Sequence, residues 1–323
     1  MPHPSPASTL DDRILAAIDL GSNSFHLLIA RVGPAGMEPL QRCKQMVQLA
    51  RDQDAIGCLA PAAIERATLC LRLFRQLLDQ HGVERFHAVG TEALRRCPNR
   101  SDFLADWDNI LGGAIEIITA GREAELTFIG LSGDPQVTAL QQSFMTVDIG
   151  GASTELCYGS AYQLHHWKSL PLGCLALGQQ FFTPGGPLHP ESFATAETFC
   201  QQALASHLAE FRYTANTLCL GAAGTMRVIS ELIGNTRYDV ITSQSLAYLK
   251  VRCCERGELP AELGEHLRWD VIPAGIALLS ALLTWLADAG LQLSDRGIKE
   301  GILHNLTGHH LPSCLAINNT KIL

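Results

Sequence analysis

The sequence predicts an α/β protein of two duplicated lobes with a cleft between them, on three observations. First, a short apolar run ending in a carboxylate and a small-residue turn occurs twice, as Asp19-Leu20-Gly21-Ser22-Asn23-Ser24 and as Asp148-Ile149-Gly150-Gly151-Ala152-Ser153. Second, Asp148 follows Asp19 by 129 residues, about one domain length and far beyond a solenoid period. Third, the chain has 323 residues, 47% hydrophobic and only 17% charged, a composition that forms about two cored domains and not a disordered chain.

The elements follow in order. Ile14–Asp19 and Phe25–Val32 are apolar runs flanking the polar turn, giving strand, turn, strand. Pro61–His81 places Ile64, Ala67, Leu71, Phe74 and Leu78 at helical spacing, with Gly82 just past its end. Phe86–Gly90 and Gly113–Thr119 read as strands, the former leading into Thr91, and Arg122–Gly130 as a helix. The turn signal Gly133-Asp134-Pro135 places the boundary. The first lobe is therefore residues 13–135 and the second 136–310, with the last helix free to pack back on the first lobe. Phe144–Asp148 and a return strand through Leu156–Tyr158 repeat the opening unit. Thr217–Leu220 is a strand running into Gly221-Ala222-Ala223-Gly224-Thr225 and a helix, Met226–Ile233, in a lobe mostly helical after Ser192. Residues 1–12 and 311–323 read as flexible ends.

Composition excludes several function classes. Lys+Arg 24 against Asp+Glu 32 gives a net charge of −8, which argues against a nucleic-acid partner, so an anionic ligand must be held locally. Val271–Ala287 is uncharged, but it is 17 residues long, contains Pro273 and Gly275, lies between Asp270 and Asp288 and has no flanking Lys/Arg cluster. It reads as a buried helix, and no membrane association is expected. The eleven cysteines form no C-x-x-C pair. With no apolar leader in residues 1–12, they read as free thiols of a cytoplasmic protein. No P-loop, G-x-G, G-x-S-x-G, H-E-x-x-H or His-Asp motif occurs.

What remains is the repeated turn. Its Asp projects from a strand end, its Gly permits a tight reversal, and the following N–H and hydroxyl groups converge on one point. Such a turn can donate to a phosphate while the Asp holds a hydrated Mg²⁺. One copy could be an ordinary hairpin; two, plus the glycine turn at Gly221–Thr225, point to a phosphate clamp.

These segments resemble the Ppx/GppA family of exopolyphosphatases and guanosine pentaphosphate phosphohydrolases. The resemblance runs on through Val89-Gly90-Thr91-Glu92-Ala93-Leu94-Arg95, Leu172-Gly173-Cys174 and Gly297-Ile298-Lys299-Glu300-Gly301. It implies the actin/Hsp70/sugar-kinase (ribonuclease H-like) fold in its short two-domain form. The implied activity is Mg²⁺-dependent removal of the terminal phosphate from polyphosphate or pppGpp by in-line water attack. On this basis Glu123 is the base that orients and deprotonates water, with Glu155 assisting it or ligating the metal, and Asp148 and Asp19 are the metal ligands. Ser22, Asn23, Ser24, Thr91, Arg95, Gly150, Gly151, Ser153 and Thr154 are phosphate contacts, and Gly221, Gly224 and Thr225 an anion or nucleotide turn. A homodimer is a family expectation.

Four residues depart from the pattern. Arg122 and Glu125 exchange the charges common around the catalytic position, Gln48 replaces a basic residue, and Lys299 replaces an Arg. Ala152 is seen in the pentaphosphatase-like branch. Two other readings of the same turns are a non-catalytic pppGpp or polyphosphate sensor and an ATP-dependent small-molecule kinase.

Overall fold

The computed structural model describes residues 12–307 except 34–35, 55, 141, 184–185, 214–216, 223, 235–238, 258–270 and 288. Residues 1–11 and 311–323 of the expected ends, and Asp270 and Asp288, lie outside the described residues.

The first sheet is built from β1 (Arg13–Leu20), β2 (Phe25–Gly33), β3 (Gly36–Gln45), β4 (Arg85–Gly90) and β5 (Ile115–Ile117), in the order β3-β2-β1-β4-β5. β3, β2 and β1 are antiparallel neighbours, and β4 and β5 add in parallel. The second sheet contains β6 (Phe144–Ile149), β7 (Thr154–Ser160), β8 (Gln163–Leu170), β9 (Leu218–Ala222), β10 (Val240–Ile241) and β11 (Leu291–Leu293), in the order β10-β11-β9-β6-β7-β8. Read from β8, it repeats the first sheet strand for strand, with β10 as an added antiparallel edge.

β1 shows why the fold needs near-continuous apolar strands. Ala16, Ile18 and Leu20 join the core that contains Phe74 and Leu78 of α1 (Pro61–Gln80) and Trp107 of α3 (Leu104–Leu111), beyond the short α2 (Glu92–Arg95). Leu15 and Ala17 face the other way. A strand covered on both faces has no solvent side to spend on polar residues. Asp19 continues the Leu15–Ala17 face to the strand end.

Two helices cover these inner faces crosswise. α4 (Ala120–Ser132), followed by α5 (Pro135–Leu140), places Ala124, Phe128 and Leu131 against Phe144 and Cys157 of the second sheet. α11 (Ile298–Leu306) places Ile298, Ile302 and Leu303 against Leu15, Ala17 and Val89 of the first. They cross at two glycines. A Cβ on Gly130 would collide with the Gly297 carbonyl, and one on Gly301 with the Leu126 carbonyl. On the outer face of the second sheet lie α6 (Cys174–Phe181), α7 (Pro190–His207), α8 (Gly224–Ile233), α9 (Ser243–Arg256) and α10 (Ile272–Trp285).

The apolar run at 271–287 is α10, buried in the second core, and no helix among the described residues is long and apolar enough to cross a membrane. All ten cysteines among the described residues are free thiols. The strand expected over 113–119 is only Ile115–Ile117. Gly113 packs against the Phe86 ring, the Ile118 N–H turns to the Gly90 carbonyl, and Thr119 leaves to cap α4 by accepting the Arg122 N–H at 3.2 Å. That cap starts the helix at Ala120, two residues earlier than periodicity suggests.

Candidate active site

A cleft of about 460 Å³ opens where the strands of both sheets end. Its walls include the turn after β1 (Ser22, Asn23, Ser24), the turn after β6 (Gly150, Gly151, Ser153), Thr91, and Gly224 and Thr225 at the start of α8. Glu123 enters from the first turn of α4 and Lys299 from the first turn of α11. Ala223, between β9 and α8, lies outside the described residues.

Each turn is held from behind by its carbonyls. In the first, the Ser22 and Asn23 carbonyls accept from the N–H groups of Ala50 and Gln48 at 2.9 and 2.7 Å. In the second, the Gly150 and Gly151 carbonyls accept from the N–H groups of Cys174 and Leu175, at the start of α6, at 3.1 and 2.9 Å. A trans peptide points its N–H opposite to its C=O. The N–H groups of Asn23 and Ser24, and of Gly151 and Ala152, are therefore turned away from these supports, and all four residues line the cleft. Ala152 is a donor that sequence reasoning missed, because a backbone group leaves no residue-type signature.

The carboxylates crowd one another. Burial pushes Asp19 and Asp148 up to about 6, while Lys299 pulls both back. Glu155, accepting hydrogen bonds from Ser169 (2.8 Å) and Ser153, is raised to about 7 by burial and then by Asp148. Glu123 is raised well above the ordinary range by burial, then by Glu155, against the pull of Arg95. Strand pairing explains one contact. Asp148 lies opposite Glu155, and at the same place in the first lobe Asp19 lies opposite His26, which in turn lies opposite Lys44. His26 lines the cleft and shares a 2.8 Å hydrogen bond with Ser24. The duplicated scaffold thus presents a carboxylate on one wall and an imidazole on the other.

Three expected contacts do other work in this structure. The Arg95 guanidinium is committed to Glu92, to Glu123 at 3.2 Å and to the Ile118 carbonyl at 2.8 Å, so it orients Glu123 from behind the cleft wall. Thr154 is fully buried and its hydroxyl donates to the Leu172 carbonyl at 2.6 Å. Gly221 sits inside β9 against Leu291 and Met226. The exchanged charges Arg122 and Glu125 bond to each other at 2.6 Å and are not part of the cleft wall.

Cationic groups absent from the expected set do reach the cleft. Arg42 pairs with the buried Glu300 at 3.0 Å, Arg227 pairs with Asp295 at 2.8 Å, and Lys44 crosses to the neighbourhood of Gly224. Together with Arg296 and Lys299 they give an acidic chain a local positive wall.

The all-oxygen donor set suits Mg²⁺, which binds through one or two carboxylates and completes its shell with water and phosphate. Among the described residues no group of three His, Cys, Asp or Glu forms a protein-only metal cage. Two strand-end carboxylates raised to about 6 by burial, and held back by Lys299, fit such a partial shell.

Known structures share this fold. The Aquifex aeolicus Ppx-GppA enzyme superposes with a TM-score of 0.74 at 26% identity, covering 91% of this chain and 99% of its own. An exopolyphosphatase from Cytophaga hutchinsonii gives 0.80 at 23% identity, over 92% and 98%. A nucleoside triphosphate hydrolase from Neospora caninum gives 0.53 at 13%, over 90% and 92%. The duplicated sheets and these likenesses make the fold that of the actin/Hsp70/sugar-kinase superfamily. A sequence model of the Ppx/GppA phosphatase family matches residues 28–310, which include the supports of both turns together with Glu123, Asp148 and Glu155, and the chain belongs to that family.

Proposed function

We propose that the protein is a Mg²⁺-dependent phosphoanhydride hydrolase that removes the terminal phosphate of inorganic polyphosphate or pppGpp. The observation behind this reading is the convergence of Glu123 and Glu155, both with raised pKa, between two turns that line the cleft with N–H and hydroxyl donors. The turns would hold the terminal phosphate and its neighbour by N–H and hydroxyl donors. Glu123, fixed by Arg95, would orient a water in line and take its proton, with Glu155 sharing the charge. Asp148 and Asp19 would hold Mg²⁺, which when bound supplies electrostatic stabilisation of the phosphoryl oxygens. The cationic wall of Arg42, Lys44 and Arg227 would take the phosphates beyond the scissile bond.

Phosphate release should be measured with Mg²⁺ on both substrates. Glu123→Gln should lower kcat by on the order of 10²–10⁴ with little change in KM. Turnover near that of the wild type would remove Glu123 from this role, and binding of either anion by the wild type without turnover would favour a sensor.

A further inference from the structure

The second phosphate turn is fastened to α6 more firmly than backbone hydrogen bonding requires. Its Gly150 carbonyl accepts from two groups of one residue, the Cys174 N–H at 3.1 Å and the Cys174 thiol, whose Sγ lies 2.9 Å away. The same Sγ lies 3.5 Å from Thr225 Oγ1, in the first turn of α8, and Thr225 lines the cleft. Gly173 makes the approach possible, since a Cβ there would collide with the Gly151 carbonyl and with Ala152. Cys174 is fully buried, so no water competes for these bonds. In the first lobe the accepting carbonyls sit one position further along the turn, at Ser22 and Asn23, and take the backbone N–H groups of Ala50 and Gln48.

We propose that Cys174 is a positioning residue for the hydrolase reaction, fixing the Gly150–Gly151 peptide so that the Gly151 N–H faces substrate and tying that turn to Thr225. This rests on the phosphate-binding reading of the turn. Its chemistry is that of a buried donor: loss of the thiol leaves the Gly150 carbonyl with the backbone N–H of residue 174 as its remaining bond, and the permissive glycine dihedrals beside it then let the peptide tilt.

The test compares Cys174→Ala, Cys174→Ser and Thr225→Val in the full chain. The ligand-free readout is the set of backbone amide resonances of Gly151 and Ala152. The kinetic readout is KM against kcat for phosphate release from tripolyphosphate with Mg²⁺. The Ala variant should shift both amides and raise KM on the order of 5-fold, with thermal stability nearly retained. The Ser variant, which keeps a donor, should restore both, and Thr225→Val should reproduce part of the amide shift. Unmoved amides in Cys174→Ala, or a Ser variant no better than Ala, would overturn the proposal. A wild type that releases no phosphate, in a protein whose amides still move with Cys174→Ala and return with Ser, would sink the hydrolase reading and uphold the positioning role.

Discussion

Asp19 and Asp148 are ionised at a cost. Their ordinary pKa is near 3.9, and in the fold it is about 6. The folded state therefore holds these protons more tightly than the unfolded chain. Stability of the metal-free protein falls as pH rises from about 4 through 6 and levels off above. Each group, partly open to cleft water, contributes about 1–3 kcal/mol to that loss. Asp148→Asn should accordingly be more stable than the wild type in metal-free denaturant melts at pH 8, with the advantage gone near pH 4. In the same variant the Mg²⁺ requirement for phosphate release should rise steeply. The carboxylates were legible because each ends an apolar strand. His26 was legible only in principle, by adding the 129-residue offset to reach Glu155. Lys299 was visible as a departure, but its hold on both aspartates depends on α11 folding back over the first sheet, which no local pattern encodes.

Among elements, α4 and α11 carry the most consequence for their length. Their backbones touch at Gly130 and Gly301, where any side chain meets opposing carbonyl oxygens. Gly301→Ala should force the helices apart, destabilising the protein by about 2–4 kcal/mol and lowering Tm in thermal melts. A Tm unchanged within error would mean that the crossing is looser than described. The buried strands β1 and β6 and the helix α1 were readable from periodicity. β3 was not, because Gly36–Gln45 mixes Glu38, Pro39, Arg42 and Lys44 along a sheet edge, where only one neighbour constrains the pattern.

The whole molecule is interleaved. α4, from the first half of the sequence, covers the second sheet, and α11, from the end, covers the first. Neither half can then bury its inner face alone. Urea unfolding should be a single transition, the same whether followed by Trp107 in the first core or by Trp285 in the second, each isolated by Phe substitution of the other tryptophans. Two separated transitions would show that the lobes are independent. Separate expression of residues 1–135 and 136–323 should give two aggregating chains.

The crossing also sets mechanical leverage. Glu123 lies seven residues from Gly130 along α4, a lever arm of roughly 10 Å, while Lys299 lies two residues from Gly301, about 3 Å from the pivot. A rotation of about 10° at the glycine contact would sweep the glutamate by roughly 2 Å and the lysine by only about 0.5 Å. Any tilt of the two helices about that contact would therefore move Glu123 several times further than Lys299, whose charge acts on both aspartates.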